Sequence, residues 1–523
     1  MGFQVSDLWR TPTVNPVNKK ARSVPILNPI DAHGRVFFFS WLGFMLSFWA
    51  WYTFPPLLSV TIKKDLNLSP EQVANSNIVS LVATLAVRFV AGPLCDQFGP
   101  RKVFSTLLLV GSIPIGLAPL IKDATGLYII RLFIGILGGA FVPCQVWCTG
   151  WFDKNVVGTA NALAGGWGNA GGGITYFIMP AVYDSLVHRW GHTPDEAWRI
   201  TFVVPLVCLI ICGVALLVLC DDTPMGTWHD RHNIQPTAAE EPQEDTIVSI
   251  PGTITDRETS GNTTPTGNAT TKIIDLEKAT FTTKTTPIAI PIPTPQQHQT
   301  DHATAHTEEI IQPPSLRTAL PVLLSPNALF HVATYACSFG GELAINSVLA
   351  AYYLRNFPEL GQTRASNYAA VFGFLNFVTR PLGGVVGDVL YRVSGGGLWW
   401  KKGWVHVCGV VTGVLLIVIG VLDPHDLGTM IGLVVVMAVF HEAGNGANFA
   451  LLPHVFPHAN GLLSGLTGAG GNLGGVVFAV VFRFMDGGTN YAKGFWVMGI
   501  VHLVLNVAVC WVPPIPKGQV GGR

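Results

Sequence analysis

Apolar residues along this chain gather into runs of about 20, separated by short polar turns, at 36–58, 75–96, 103–121, 127–148, 157–182, 200–220, 325–353, 367–390, 404–422, 428–451, 460–484 and 494–513. Each run is long enough to cross a ~30 Å hydrocarbon core as a helix. The first starts too late and runs too long for a cleavable leader. It is expected to stop at Pro55-Pro56, where a helix cannot easily continue. Ser69-Pro70-Glu71-Gln72 carries the marks of a helix start, with Ser69 as N-cap and Gln72 placed to reach back. The pattern predicts an all-α membrane protein with 12 transmembrane helices in two six-helix bundles, 36–220 and 317–514, flanked by tails 1–35 and 515–523.

The periodicity fails once, over 221–316. This stretch contains 21 Thr and 11 Pro, and its acids outnumber its bases by more than two to one. It cannot bury enough apolar surface to offset its ordering entropy and reads as a disordered loop. By composition alone it suits a regulatory kinase as a partner. Asn262 and Asn268 match the glycosylation pattern, which is irrelevant if the loop is cytoplasmic.

Composition agrees with a membrane protein. The 523 residues hold 31 basic and 31 acidic side chains, 12% in all, about half the share of a soluble domain, and mean hydropathy is +0.43. A net charge of zero argues against nucleic acid as a partner. The lipid bilayer is the expected environment. Arg10, Lys19, Lys20, Arg22 and Arg35 precede the first span, which points to cytoplasmic termini in a multi-pass protein of the plasma membrane. Cys144/Cys148 and Cys208/Cys212 have i, i+4 spacing, but no His or carboxylate accompanies them, so small packing residues are the better reading. No nucleophile–base motif, phosphate loop or metal-ligand spacing is visible. Neither an enzyme nor a metal or cofactor is expected.

The two halves repeat. Arg88-Phe89-Val90-Ala91-Gly92-Pro93-Leu94-Cys95-Asp96 in the second span matches Arg380-Pro381-Leu382-Gly383-Gly384-Val385-Val386-Gly387-Asp388 in the eighth. Gly168-Asn169-Ala170-Gly171-Gly172 in the fifth matches Gly471-Asn472-Leu473-Gly474-Gly475 in the eleventh. Each arginine lies eight residues, about 12 Å along a helix, from the polar end of its span. That is close to the bilayer middle, where a charge costs roughly 2.5–3.5 kcal/mol even on a lenient scale. Away from their ends the spans offer only Glu342 and Glu442 as counter-charges. Two arginines with few carboxylates suggest a midplane anion site, and a guanidinium can bond an oxyanion bidentately. A buried ion pair in each half is the plainer alternative. Asn169 and Asn472 could donate to a ligand, with Gly171 and Gly474 removing bulk beside them, although helix packing accounts for the glycines equally well. Phe48 and Tyr335 could add aromatic walls and a hydroxyl. Such a narrow site fits a small planar oxyanion better than a sugar, peptide or phosphate ester.

At these residues the chain resembles the nitrate/nitrite porter family of the major facilitator superfamily, over all twelve spans. Ala164-Gly165-Gly166-Trp167-Gly168-Asn169-Ala170-Gly171-Gly172-Gly173 and Gly468-Ala469-Gly470-Gly471-Asn472-Leu473-Gly474-Gly475 look like that family's two nitrate signatures. The long central loop looks like that of the fungal high-affinity members. The resemblance implies a major facilitator fold that carries nitrate and nitrite, with Arg88 and Arg380 clamping the anion, Phe48 and Tyr335 against it, and Asn169 and Asn472 as signature asparagines. Arg131-Leu132-Phe133-Ile134-Gly135 resembles a motif of proton-coupled members.

Drawing an anion into a cell against an inside-negative potential costs about 2.3 kcal/mol per 100 mV, so accumulation needs more than one proton per nitrate. Glu342, His441 and Glu442 join Arg131 as proton-coupling candidates, with an interhelical polar contact as the plainer reading of each. The expected mechanism is proton-coupled symport by alternating access. A nitrate/nitrite exchanger and a nitrate sensor are the alternatives.

Overall fold

The computed structural model describes residues 5–16, 18–153, 156–228, 316–456 and 460–516. Among the described residues twelve long helices follow one another. In the first half they are α1 (Ala32–Trp51), α2 (Pro70–Phe98), α3 (Pro100–Leu117), α4 (Ala124–Trp151), α5 (Val157–Asn169 continued by Gly171–His188) and α6 (Pro194–Leu219). In the second they are α7 (Pro326–Asn356), α8 (Gly361–Val393), α9 (Leu398–Leu422), α10 (Leu427–Leu451), α11 (Asn460–Phe484) and α12 (Tyr491–Val509). Ten are long and apolar enough to cross a membrane by composition alone; α5 and α7 are not among them. Those two carry the glycines of 165–173 and a buried file of His331, Thr334, Ser338, Glu342 and Asn346. Low hydropathy here reflects helices that face protein.

Local chemistry sets the helix ends. Ser69 caps α2 through a reciprocal box in which its hydroxyl accepts from Gln72 N and its own N–H donates to Gln72 Oε1 at 2.9 Å. Asp31, Asp123, Ser325 and Asp426 cap α1, α4, α7 and α10. The expected stop at Pro55-Pro56 is only a break. After Tyr52 the chain restarts a helix at Pro55 and continues to Asp65, because proline is tolerated in a first turn. At the α2–α3 turn Gly99 adopts φ +90°, a conformation that favours glycine.

Within the first half α3 packs on α6 and α2 on α4; within the second α7 packs on α11, α8 on α10 and α9 on α12. The halves meet along two seams, α2 with α11 and α5 with α8. Glycine makes the second seam close: a Cβ on Gly373 would lie 2.3 Å from Gly173 N. An even number of spans puts both chain ends on one face, called here the terminal face. Polar contacts between the halves gather toward the other. Arg483 meets Glu71 at 3.2 Å and Asn75 at 2.9 Å, Thr363 donates to Asp184 at 2.6 Å, and Tyr52 donates to Leu343 O at 3.1 Å.

Two terminal-face segments outside the long helices are held in place, and the second lies in the loop expected to be disordered. In the N-terminal tail Ala21 exchanges backbone hydrogen bonds with Trp151 O and Asp153 N. The start of the central loop is held by Arg101 on Asp222 at 2.8 Å, and by the Trp147 and Trp151 indoles donating to Asp221 O and Asp222 O. The rest of the predicted loop, with Asn262 and Asn268, lies outside the described residues, as do 517–523.

Gly474 tests the packing. A Cβ there would come 2.1 Å from Ala336 O on α7. Gly474→Val is expected to destabilise the protein by about 1–3 kcal/mol through overpacking, read as a lower melting temperature in detergent.

Candidate substrate site

Arg88 on α2 and Arg380 on α8 are 6% and 4% exposed, and neither forms an ion pair among the described residues. They are solvated by neutral groups instead. Arg88 Nε donates to Gly138 O at 2.9 Å and Nη1 reaches Gly468 O at 3.4 Å across the α2–α11 seam. Its guanidinium lies 5.1 Å from the Phe141 ring and 5.2 Å from the Phe339 ring. Arg380 Nη2 donates to the Tyr335 hydroxyl at 2.9 Å, and its guanidinium lies 5.7 Å from the same Phe339 ring. One phenyl group therefore touches both cations. Tyr335 and Phe141 stack on it, at 5.2 and 6.5 Å between centroids. Arg88 Nη2 and Arg380 Nη1 are buried without a hydrogen-bond partner.

The acceptor for Arg88 exists because α4 changes its winding. Gly135–Ala140 is a 3₁₀ segment, and three of its carbonyls take side-chain donors: Gly135 from Thr84, Leu137 from Ser47 and Gly138 from Arg88. Small residues allow the approach, since a Cβ on Gly138 would lie 2.3 Å from Thr84 Cγ2. In the second half Gly446 of α10 meets the Arg380 carbonyl in the same manner, with a Cβ clearance of only 1.9 Å.

Asn169 is fully buried, and neither its amide oxygen nor its nitrogen has a partner. Asn472 donates to Gly468 O at 3.1 Å, the carbonyl that Arg88 also reaches, and its oxygen is unpartnered. Gly171 faces the α1 backbone, where a Cβ would lie 2.2 Å from Met45 O, so both Gly171 and Gly474 occupy helix contacts. Phe48 lies in an aromatic file of α1 with Phe44, Trp51 and Tyr52.

The proton-coupling candidates divide into three groups. Glu342 accepts from Asn376 at 2.9 Å and Asn445 at 2.8 Å; Glu442 accepts from Thr379 at 2.5 Å and keeps one oxygen unpartnered. Both carboxylates are fully buried and interact electrostatically with each other and with Arg380. His441, adjacent in sequence to Glu442, turns toward Phe372 and His502. Arg131 stands apart in the first half, donating to Asn77 at 2.8 Å and lying 5.6 Å from the Phe54 ring. Phe339 and Phe141 escape sequence reasoning, because a phenylalanine in an apolar span carries no signal until its neighbours are known. The glycines of 135–139 were the available hint.

A duplicated six-helix bundle with a polar site between the halves is the build of a membrane transporter. The chain belongs to the Major Facilitator Superfamily, whose family model matches residues 40–399. It is 34% identical over 518 residues to Elsinochrome transporter 1 of Elsinoe fawcettii, covering 99% of this chain and 100% of that one. It is 29% identical over 482 residues to High-affinity nitrate transporter 2.3 of Oryza sativa subsp. japonica, covering 92% and 77%. Among solved structures it is similar to a bacterial homolog of the human lysosomal transporter Spinster in an inward-facing and occupied conformation. The TM-score is 0.56 at 13% identity, over 92% of this chain and 96% of that one, which shows the fold.

Phe339→Ala removes the ring shared by both guanidiniums and the stack on Tyr335 and Phe141. A loss of about 3–5 kcal/mol in stability is expected, measured by thermal unfolding of the purified protein.

Proposed function

We propose that the protein imports nitrate, and nitrite, across the plasma membrane as a proton-coupled symporter with cytoplasmic termini. The observation that carries this reading is the pair of buried guanidiniums, one from each repeat, sharing Phe339 and each keeping an unpartnered terminal nitrogen. Two such cations, 5.2 and 5.7 Å from the centre of one ring, repel, and a small anion between them replaces repulsion with two charge-assisted contacts. The unpartnered Nδ2 of Asn169 suits a remaining oxygen of a trigonal anion as a donor. Relatives named as nitrate transporters support the choice of anion.

Charge balance supports the coupling. Away from the helix ends the interior holds Arg88, Arg131 and Arg380 against Glu342 and Glu442. One anion brings that set to neutrality, and protons on the two carboxylates give the loaded carrier the net positive charge that an inside-negative potential pulls inward. In the alternating-access cycle the contacts of Arg483 and Asp184 hold one face closed, and substrate leaves toward the terminal face.

Arg88→Ala or Arg380→Ala is expected to cut uptake about 100-fold or more at normal surface abundance, the equivalent of about 3 kcal/mol of charge-assisted bonding. Arg→Lys at either position should serve poorly, lacking the planar fork. Near-normal uptake by either alanine variant rejects the clamp. In oocytes, nitrate is expected to evoke an inward current that grows as external pH falls, chloride none, and Glu442→Gln should lose the acid stimulation. One observation favours a second reading, the whole-chain similarity to a transporter named for elsinochrome. Elsinochrome efflux from expressing cells, with no nitrate-evoked current, establishes that cargo instead.

A further inference from the structure

The first half contains a buried cation that the Arg88–Arg380 site does not use. Arg131 on α4 is 3% exposed and forms no ion pair among the described residues. Its Nη2 donates to Asn77 Oδ1 on α2 at 2.8 Å, and Nε and Nη1 are buried without a hydrogen-bond partner. Arg131 and Asn77 each stand seven residues into their helices, about 10 Å below the face away from the termini. Arg88 lies eleven residues, about 16 Å, deeper along α2, and Asn77, Ser80, Thr84 and Arg88 form a buried polar row on one face of that helix. Two buried phenols interact electrostatically with Arg131: Tyr176 on α5, and Tyr52 at the end of α1, which interacts with Arg88 as well. Thr175 donates to Tyr52 O at 3.1 Å and ties the two segments together within the first half. Both hydroxyls reach across to the other half, where Tyr52 donates to Leu343 O at 3.1 Å and Tyr176 to Asn346 O.

We propose that Arg131, Tyr52 and Tyr176 form a second site for a small oxyanion, where nitrate binds from the face away from the termini before it reaches Arg88 and Arg380. This site rests on the anion-carrier reading above and moves Arg131 from proton coupling to substrate. A guanidinium never loses its charge, so it can hold an anion but cannot pass on a proton. The three donors belong to α1, α4 and α5 and travel with the first half, whereas the carbonyls that hold the phenols belong to α7 in the second. Opening that face parts the phenols from α7. Their hydroxyls are then released near a guanidinium with two unpartnered nitrogens, and donate to the oxygens of the anion. Closing reverses the exchange. The α7 carbonyls reclaim the hydroxyls, the anion at Arg131 loses donors, and the polar row of Asn77, Ser80 and Thr84 leads inward to Arg88. Asn77 is a positioning residue, since its Oδ1 fixes the guanidinium through Nη2.

The test uses the full-length protein in sealed vesicles of one orientation, with exchange of labelled nitrate giving a KM at each face. The readout is the ratio of KM at the face away from the termini to KM at the terminal face. Arg131→Gln keeps a donor for Asn77 and is expected to raise that ratio about fivefold, and a rise below about twofold overturns the second site. Tyr52→Phe and Tyr176→Phe should each raise the ratio about twofold, through the loss of one hydroxyl donor. These two variants separate a ligand from a latch. Phenols that only hold the face shut would let it open more readily once their hydroxyls are gone, and the ratio would fall. An unchanged or lower ratio in both phenylalanine variants therefore overturns the site, and it decides the matter if Arg131→Gln does not purify monodisperse. A wild-type protein that exchanges no nitrate removes the anion-carrier reading, visibly and before any residue is changed, and the second site with it.

Discussion

Two like charges are buried in this molecule without a paired carboxylate among the described residues, and much of the surrounding architecture answers that constraint. A buried ion costs several kcal/mol even after relaxation, so each guanidinium needs polar or π partners on nearly every side. Arg88 finds carbonyls, one of them released by the 3₁₀ winding of α4, and two aromatic faces. Arg380 finds a tyrosine hydroxyl, a share of Phe339 and the field of two carboxylates. What each lacks is a partner for one terminal nitrogen, the deficit on which the proposed anion site rests.

The halves repeat in sequence but solve the problem differently. In the first half Arg88 and Arg131 have no ion-pair partner among the described residues and are met by carbonyls, Asn77 and rings. The second half places Glu342 and Glu442 beside its arginine and supports them with Asn376, Asn445 and Thr379. Away from the helix ends the buried charge of the two halves thus differs, arginines in the first and an arginine with two carboxylates in the second.

Movement asks something different of the seams. Gly173 against Gly373 makes a smooth contact between the halves with no interdigitating side chains. The polar contacts between the halves toward the face away from the termini involve Arg483, Glu71 and Thr363 near the helix ends, where they are only part-buried.

Twelve helices and the duplicated motifs were legible in the sequence, because hydropathy period is a local property. The Ser69 box was legible for the same reason. The local rule misjudged Pro55-Pro56, since proline stops a helix or starts one according to its position in the turn. Nothing local marked Phe339 as the ring shared by both cations, or His502 as the neighbour of His441. Those facts depend on which faces of α2, α7, α8, α10 and α12 turn toward one another. The sequence by itself determined that two charges lie within apolar helices of a membrane protein; only the tertiary structure decided what surrounds them. A residue's place along a helix follows from its own segment, whereas its partners follow from the packing of others.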